Sequence, residues 1–191
     1  MTSSGPESAT GLACGEVRGG TTPVYDRFAL PGLRGVLYSR PCSGASGGDI
    51  HYLSVCGSGL VSRVCVADVA GHGETIAVVG TAMHAHLLRS VDVIDERKVL
   101  TRMDRQLEAS GLRAMTTAAL LTYVSPSRRL TVAYAGHPPG WLYRAREKTW
   151  GRSRRRARHC DYTNSRTCRS APVWLRSTRD TDSRSNPATD C

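Results

Sequence analysis

Between Arg34 and Arg144 the chain runs through short apolar blocks punctuated by glycine, serine and proline. "RGVLYSRP" (Arg34–Pro41) reads as a strand that ends at proline, and "SGASGG" (Ser43–Gly48) as a loop. "DIHYLSVC" (Asp49–Cys56) alternates weakly, "GSG" (Gly57–Gly59) turns the chain, and "LVSRVCVAD" (Leu60–Asp68) returns. That pattern predicts a hairpin. From Glu74 to Ser90 the period changes to that of a helix, with Ile76, Val79, Met83 and Leu87 on one stripe. Val78, Ala82 and Ala85 lie beside this stripe, so apolar residues occupy nearly every face and the helix is expected to be buried between layers. A second helix, Asp95 to Ala109, repeats Val99, Met103 and Leu107 opposite charged positions, and "SGL" (Ser110–Leu112) closes it.

"TTAALLTYV" (Thr116–Val124), "SPSRR" (Ser125–Arg129) and "LTVAYA" (Leu130–Ala135) form a second hairpin pattern, and "GHPPGWLYR" (Gly136–Arg144) turns at two prolines into a further strand. Strands, then two helices, then strands again predict an α+β protein with antiparallel sheets rather than a doubly wound βαβ fold. Past Arg144 the pattern stops. Residues 145–191 contain one Leu, one Val, no Ile and no Phe against 11 Arg, which predicts a disordered basic tail. The chain thus divides into a flexible leader (1–23), a folded body (24–144) and an Arg-rich tail (145–191).

Composition refines this division. The 191 residues are 40% hydrophobic, enough for one domain with a real core. No apolar run approaches the roughly 18 residues of a spanning helix. "MTSSGPESAT" lacks the basic start and apolar centre of a secretory signal, so a cytoplasmic location with no membrane partner is the expectation. The net charge of +10 would suggest a nucleic-acid partner if it were spread evenly. Residues 1–144 hold 14 Lys+Arg and 11 Asp+Glu (+3), and residues 145–191 hold 12 and 5 (+7), which together give the chain's 26 and 16. Most of the excess therefore belongs to the tail. The run "RSRRRAR" (Arg152–Arg158) could grip phosphates without reading sequence, but the sequence places no aromatic platform with it. Nucleic acid is the least favoured partner. The seven cysteines form no C-x-x-C pair, and Cys56 and Cys65 sit in strand-like apolar surroundings as small hydrophobes.

Two acids change the picture. "VADVAGHGET" (Val66–Thr75) ends a strand in Asp68 and follows it with Gly71-His72-Gly73. Asp68 could cap the next helix, with the glycines simply making the bend. Alternatively, Gly71 and Gly73 allow a backbone carbonyl such as that of Val69 to swing towards a hard cation. Asp49 begins the other arm of the same hairpin, after Gly47-Gly48, so the pairing carries its end towards Asp68. Two acids at adjacent strand ends repel unless a cation lies between them. His72 and His137 read as turn residues that could serve as proton relays. His84 and His86 are two apart on a helix and cannot chelate one ion.

"GGD" (Gly47–Asp49), "ADVAGHG" (Ala67–Gly73), "TTAALL" (Thr116–Leu121) and "AYAGHPP" (Ala133–Pro139) resemble, in order and spacing, the motifs of PPM-type protein phosphatases. Within that class they resemble the bacterial branch of SpoIIE and RsbU. The resemblance covers about Arg34 to Arg144. It implies an αββα sandwich of two antiparallel sheets flanked by helices. It further implies that Asp68 bridges two Mn²⁺ or Mg²⁺ ions, that the Val69 carbonyl binds one of them, and that Asp49 supports the site. Gly48, Gly71, His72, Gly73 and His137 fall on the motif positions around it. The implied reaction is in-line hydrolysis of phosphoserine or phosphothreonine, with the cations neutralising charge on the phosphoryl oxygens. The implied substrate is a phosphorylated regulatory protein of the anti-sigma-factor antagonist type.

The sequence also departs from that family. Its "GD" turn, "TDG" acid and later acidic motif have no counterpart here, because Asp161, Asp180, Asp182 and Asp190 lack a flanking apolar strand. Two carboxylates and a carbonyl carry little charge for two divalent ions. The expectation is therefore a partial sandwich followed by an out-of-frame or degenerate tail. Two functional readings stay open: a metal-dependent phosphatase, or a catalytically dead remnant that binds a phosphorylated regulator.

Overall fold

A computed structural model of the chain describes residues 9–41, 47–71, 74–109, 115–153 and 174–176. The architecture is α+β. A five-stranded antiparallel sheet has the order β2-β5-β6-β7-β8, from β2 (Val17–Gly20), β5 (Asp49–Val55), β6 (Val61–Val69), β7 (Thr116–Val124) and β8 (Arg129–Ala135). A second sheet has the order β1-β3-β4-β11, from β1 (Thr10–Gly11), β3 (Val24–Leu30), β4 (Leu33–Ser39) and β11 (Trp174–Arg176). It is antiparallel except where β1 runs parallel to β3. A separate two-stranded sheet joins β9 (Trp141–Arg144) to β10 (Thr149–Arg152).

Alternation along β5 and β6 builds two cores from the same strands. Ile50, Tyr52, Cys65 and Ala67 face the helices α1 (Glu74–Leu88) and α2 (Glu96–Ala109), where they meet Val79, Met83, Leu87, Val99 and Met103. Leu53, Val55 and Val64 face the second sheet and pack on Phe28, Leu30, Leu33 and Leu37. Helix layer, sheet and sheet thus form three layers of the expected sandwich among the described residues. Cys65 is fully buried, which pushes its thiol up to about 12, and both Cys56 and Cys65 are free core thiols.

Both helices use the apolar stripes seen in the sequence. Ile76, Val79, Met83 and Leu87 are the buried positions of α1, and Val99 and Met103 those of α2. Asp95 serves as the cap of α2 rather than its first residue, its Oδ1 accepting from the N–H groups of Arg97 (3.0 Å) and Lys98 (3.4 Å). The expectation that α1 lies between layers needs correction. Val78 is 55% exposed and Leu88 is also exposed, so α1 covers the sheet with one face and shows the other to solvent.

Three further features differ from the sequence reading. The leader contributes β1 and β2, because β2 gains backbone partners along the edge of β5 and rests Val17 against the helix-side core. The strand β3 went unread, since "VYDRFAL" interleaves charges with its apolar positions. Regular structure also runs past Arg144, because β10 closes a hairpin onto β9. The tail also supplies β11, whereas its residues 154–173 and 177–191, the 43–46 part of the first loop and the "SGL" helix stop lie outside the described residues.

Arg63 ties the helices to the sheet. It is buried on the helix-facing side of β6, and its guanidinium donates to the carbonyls of Ser90 (2.8 Å) and Val93 and to Thr122 Oγ1 (3.3 Å). Burial lowers its pKa, an effect opposed by Tyr52 and Glu96. These bonds hold the α1–α2 connection against the centre of the sheet. Arg63→Met keeps the apolar stem but orphans the carbonyls, so a loss of about 2–4 kcal/mol is expected in a urea melt.

Candidate active site

Pairing of β5 with β6 places Asp49 directly opposite Asp68, and pairing of β6 with β7 places Asp68 opposite Thr117. Directly paired residues share a face, with Cβ atoms roughly 4.5–5.5 Å apart. This is the face turned to the second sheet, as the register to Leu53 and Val64 shows. Both acids are half-buried at the end of their strands. Burial, then repulsion from Asp68, raises the pKa of Asp49. The structure therefore brings together the two acids of the sequence motif.

Gly48 explains why glycine precedes Asp49. A Cβ there would lie 2.3 Å from the Val69 carbonyl oxygen and 3.4 Å from Asp68 Oδ1. No other residue leaves room for these oxygens to crowd one point. The Val69 side chain is buried on the helix side, and its N–H donates to the Gly48 carbonyl (3.0 Å), which pins the two strand ends together. Gly71 has φ +123°, a conformation that favours glycine, as the chain leaves β6 for α1. His72 and Gly73, the remaining members of that motif, lie outside the described residues.

His137 reaches the same neighbourhood from the loop after β8. Its Nδ1 is 2.9 Å from Thr117 Oγ1, and Thr117 is the cross-strand neighbour of Asp68. Burial lowers the His137 pKa, while the nearby Asp68 charge partly opposes that shift. Thr117 was not singled out in the sequence, although its register in "TTAALL" is the only signal that could have marked it. His51 was missed as well. It is 8% exposed, shares the Asp49 face by strand alternation, and its Nδ1 has no hydrogen-bond partner among the described residues. His84 packs its ring on Tyr52, and His86 contacts Arg89, so these two histidines serve different contacts.

The Val69 carbonyl oxygen and Asp68 Oδ1 lie beside Gly48, and Asp49 pairs with Asp68 across the strands; oxygen donors of this kind are what a hard divalent cation takes. The donor set stops there, since among the described residues no group of three or more His, Cys, Asp or Glu could hold a metal. Two carboxylate charges balance one divalent cation.

A family model described as Stage II sporulation protein E (SpoIIE) matches residues 61–157, just over half of the chain, and the chain belongs to that family. The family is one of PPM-type phosphatases, hydrolases that use divalent metals. The match includes Asp68, Val69, residues 71–73 and His137, whereas Asp49 lies before it. Searches of curated proteins and of solved structures returned no match. Among the described residues no helix is long and apolar enough to cross a membrane.

Two measurements follow from these charges. The pKa values of His51, His84 and His137 are all lowered, chiefly by burial. The unfolded chain then binds more protons than the folded one below about pH 6.5, so stability present at neutral pH should fall as pH drops from there. Urea midpoints across that range check this. Asp49 has the opposite sign: with its pKa raised, the folded state loses stability as pH rises through that value. Asp49→Asn should therefore raise the urea midpoint of the metal-free chain at pH 7 and weaken the protection given by added Mn²⁺.

Proposed function

We propose that this chain is a metal-dependent phosphatase that removes phosphate from phosphoserine or phosphothreonine of a regulatory protein of the anti-sigma-factor antagonist type. Family membership supports the phosphatase class. The observation that carries the site assignment is the direct cross-strand pairing of Asp49 and Asp68 beside the Val69 carbonyl. Asp68, the Val69 carbonyl and Asp49 would hold Mn²⁺ or Mg²⁺, which when bound supplies Lewis acidity and neutralises phosphoryl charge. The chain's own residues prepare that site. Gly48 gives the oxygens access to one another, and Thr117 fixes the ring of His137. Burial lowers the His137 pKa and the Asp68 charge opposes that shift, and the ring is placed to take or give a proton near the Asp68 side of the site.

A second reading is favoured by one observation, the lack of a third acidic or histidine ligand among the described residues. On that reading the chain binds its phosphorylated partner without turning it over. Release of phosphate from a phosphoserine protein, with and without Mn²⁺, separates the two. The phosphatase reading expects Mn²⁺-dependent turnover that falls about a hundredfold or more in Asp68→Asn. Turnover that ignores both the metal and this substitution would reject the site. No turnover in any condition would favour the binding reading.

A further inference from the structure

The hairpin of β9 and β10 carries two of the chain's three tryptophans on a surface that the phosphatase chemistry does not use. Alternation places Trp141 and Tyr143 on one of its faces, and the register adds Trp150 opposite Tyr143 and Arg152 opposite Trp141. Trp141 is 64% exposed and Tyr143 45%, and the Tyr143 and Trp150 rings lie 5.1 Å apart. Large aromatic rings left in water beside arginine are the usual composition of an interface centre.

Charge on the hairpin has one sign. Residues 141–153 hold Arg144, Arg146, Lys148 and Arg152 against Glu147, four cations to one acid, or +3. Glu147 is already engaged, by Arg144 at 4.0 Å and by the Thr149 hydroxyl at 3.4 Å. Arg146, Lys148 and Arg152 make no ion pair among the described residues. The surface therefore offers flat rings and unbalanced positive charge together.

The hairpin is also fixed beside the candidate site. The Gly140 N–H donates to the Tyr134 hydroxyl (2.9 Å), and the Ser153 N–H donates to the Gly140 carbonyl (2.9 Å). Tyr134 is buried in β8, so these bonds close the base of the hairpin onto the five-stranded sheet. Trp141 follows His137 by four positions, a reach of at most about 14 Å. A partner whose phosphorylated residue lies beside His137 therefore has the hairpin within a short span of its own chain.

We propose that the aromatic face of the β9–β10 hairpin is a docking strip for an acidic segment of the phosphoprotein substrate, with that segment roughly four to eight residues from the phosphorylated side chain. This rests on the phosphatase reading for the identity of the partner, though not for the binding itself. Single-stranded nucleic acid also stacks on exposed rings beside arginine. Position decides against it, because the strip adjoins a site for phosphoprotein.

The test uses the full chain and a fluorescent phosphoserine peptide with a run of aspartates roughly five to eight residues from the phosphoserine, compared with the same peptide carrying asparagines there. Anisotropy should show the aspartate peptide binding about tenfold or more tightly. Trp141→Ala/Tyr143→Ala and Arg146→Glu/Lys148→Glu should each remove that preference, and circular dichroism shows whether each variant is folded. The preference should persist with a chelator and in Asp68→Asn, since docking and catalysis use different residues. Equal binding of the two peptides, a preference that survives both double variants, or stronger competition by oligothymidylate than by the aspartate peptide would each overturn the proposal. Phosphate release from the same peptide reports on the phosphatase reading separately, so its absence beside an intact binding preference would reject that reading alone.

Discussion

The register between β5 and β6 is the constraint on which the rest depends. Side chains alternate along a strand, so a slip of one residue would set Asp49 opposite Ala67 or Val69 and send one of the pair's partners to the wrong face. Several features hold the register. The turn between the strands is closed by Cys56 N–H to the Val61 carbonyl (2.9 Å) and Gly59 N–H to the Cys56 carbonyl (2.9 Å). Ile50, Tyr52, Cys65 and Ala67 must reach the helices, whereas Leu53, Val55 and Val64 must reach the second sheet. Arg63 adds a polar requirement, since only its present phase lets it meet the carbonyls after α1. Apolar burial on both faces thus dictates where two carboxylates meet.

That meeting opposes folding in the absence of a cation. Packing forces the acids together, and burial first, then the Asp68 charge, raises the pKa of Asp49. The Gly48–Val69 contact intensifies the crowding by bringing a carbonyl oxygen into the same small space. An arrangement that works against stability and is held in place by the rest of the core is characteristic of a functional site. The chain belongs to the SpoIIE family, and Asp68 lies inside the matched segment.

The site has two outlets along the chain. One leads from Val69 through Gly71 to α1, whose inner stripe seals the helix-side core. The other leads from His137 through Gly140 to the β9–β10 hairpin, which is bound at its base by Tyr134 and exposed at its rings. The first continues into the hydrophobic interior and the second into solvent. This division separates the residues that shape the acid pair from those available to a partner.

Much of this was written in local patterns. The stripes Ile76-Val79-Met83-Leu87 and Val99-Met103 named the inner faces of both helices, and "TTAALLTYV" marked β7 to its ends, because period and burial coincide where one face meets a core. Other elements were closed to such reading. β2 has only four residues and exists because β5 offers it an edge; β3 mixes charges with apolar positions; β10 depends on β9 across a turn. The exposure of Val78 depends on what lies outside α1, which no periodicity in α1 encodes. By itself the sequence determined the element types, the two acids and their glycine neighbours, since these are set by local conformation and side-chain chemistry. The tertiary structure alone decided that Asp68 stands between Asp49 and Thr117, that His137 joins them, and that Trp141 and Tyr143 stay in water. The Asp68–Thr117 pairing joins strands separated in sequence by both helices, where the free energy of burial, rather than any local preference, selects the neighbours.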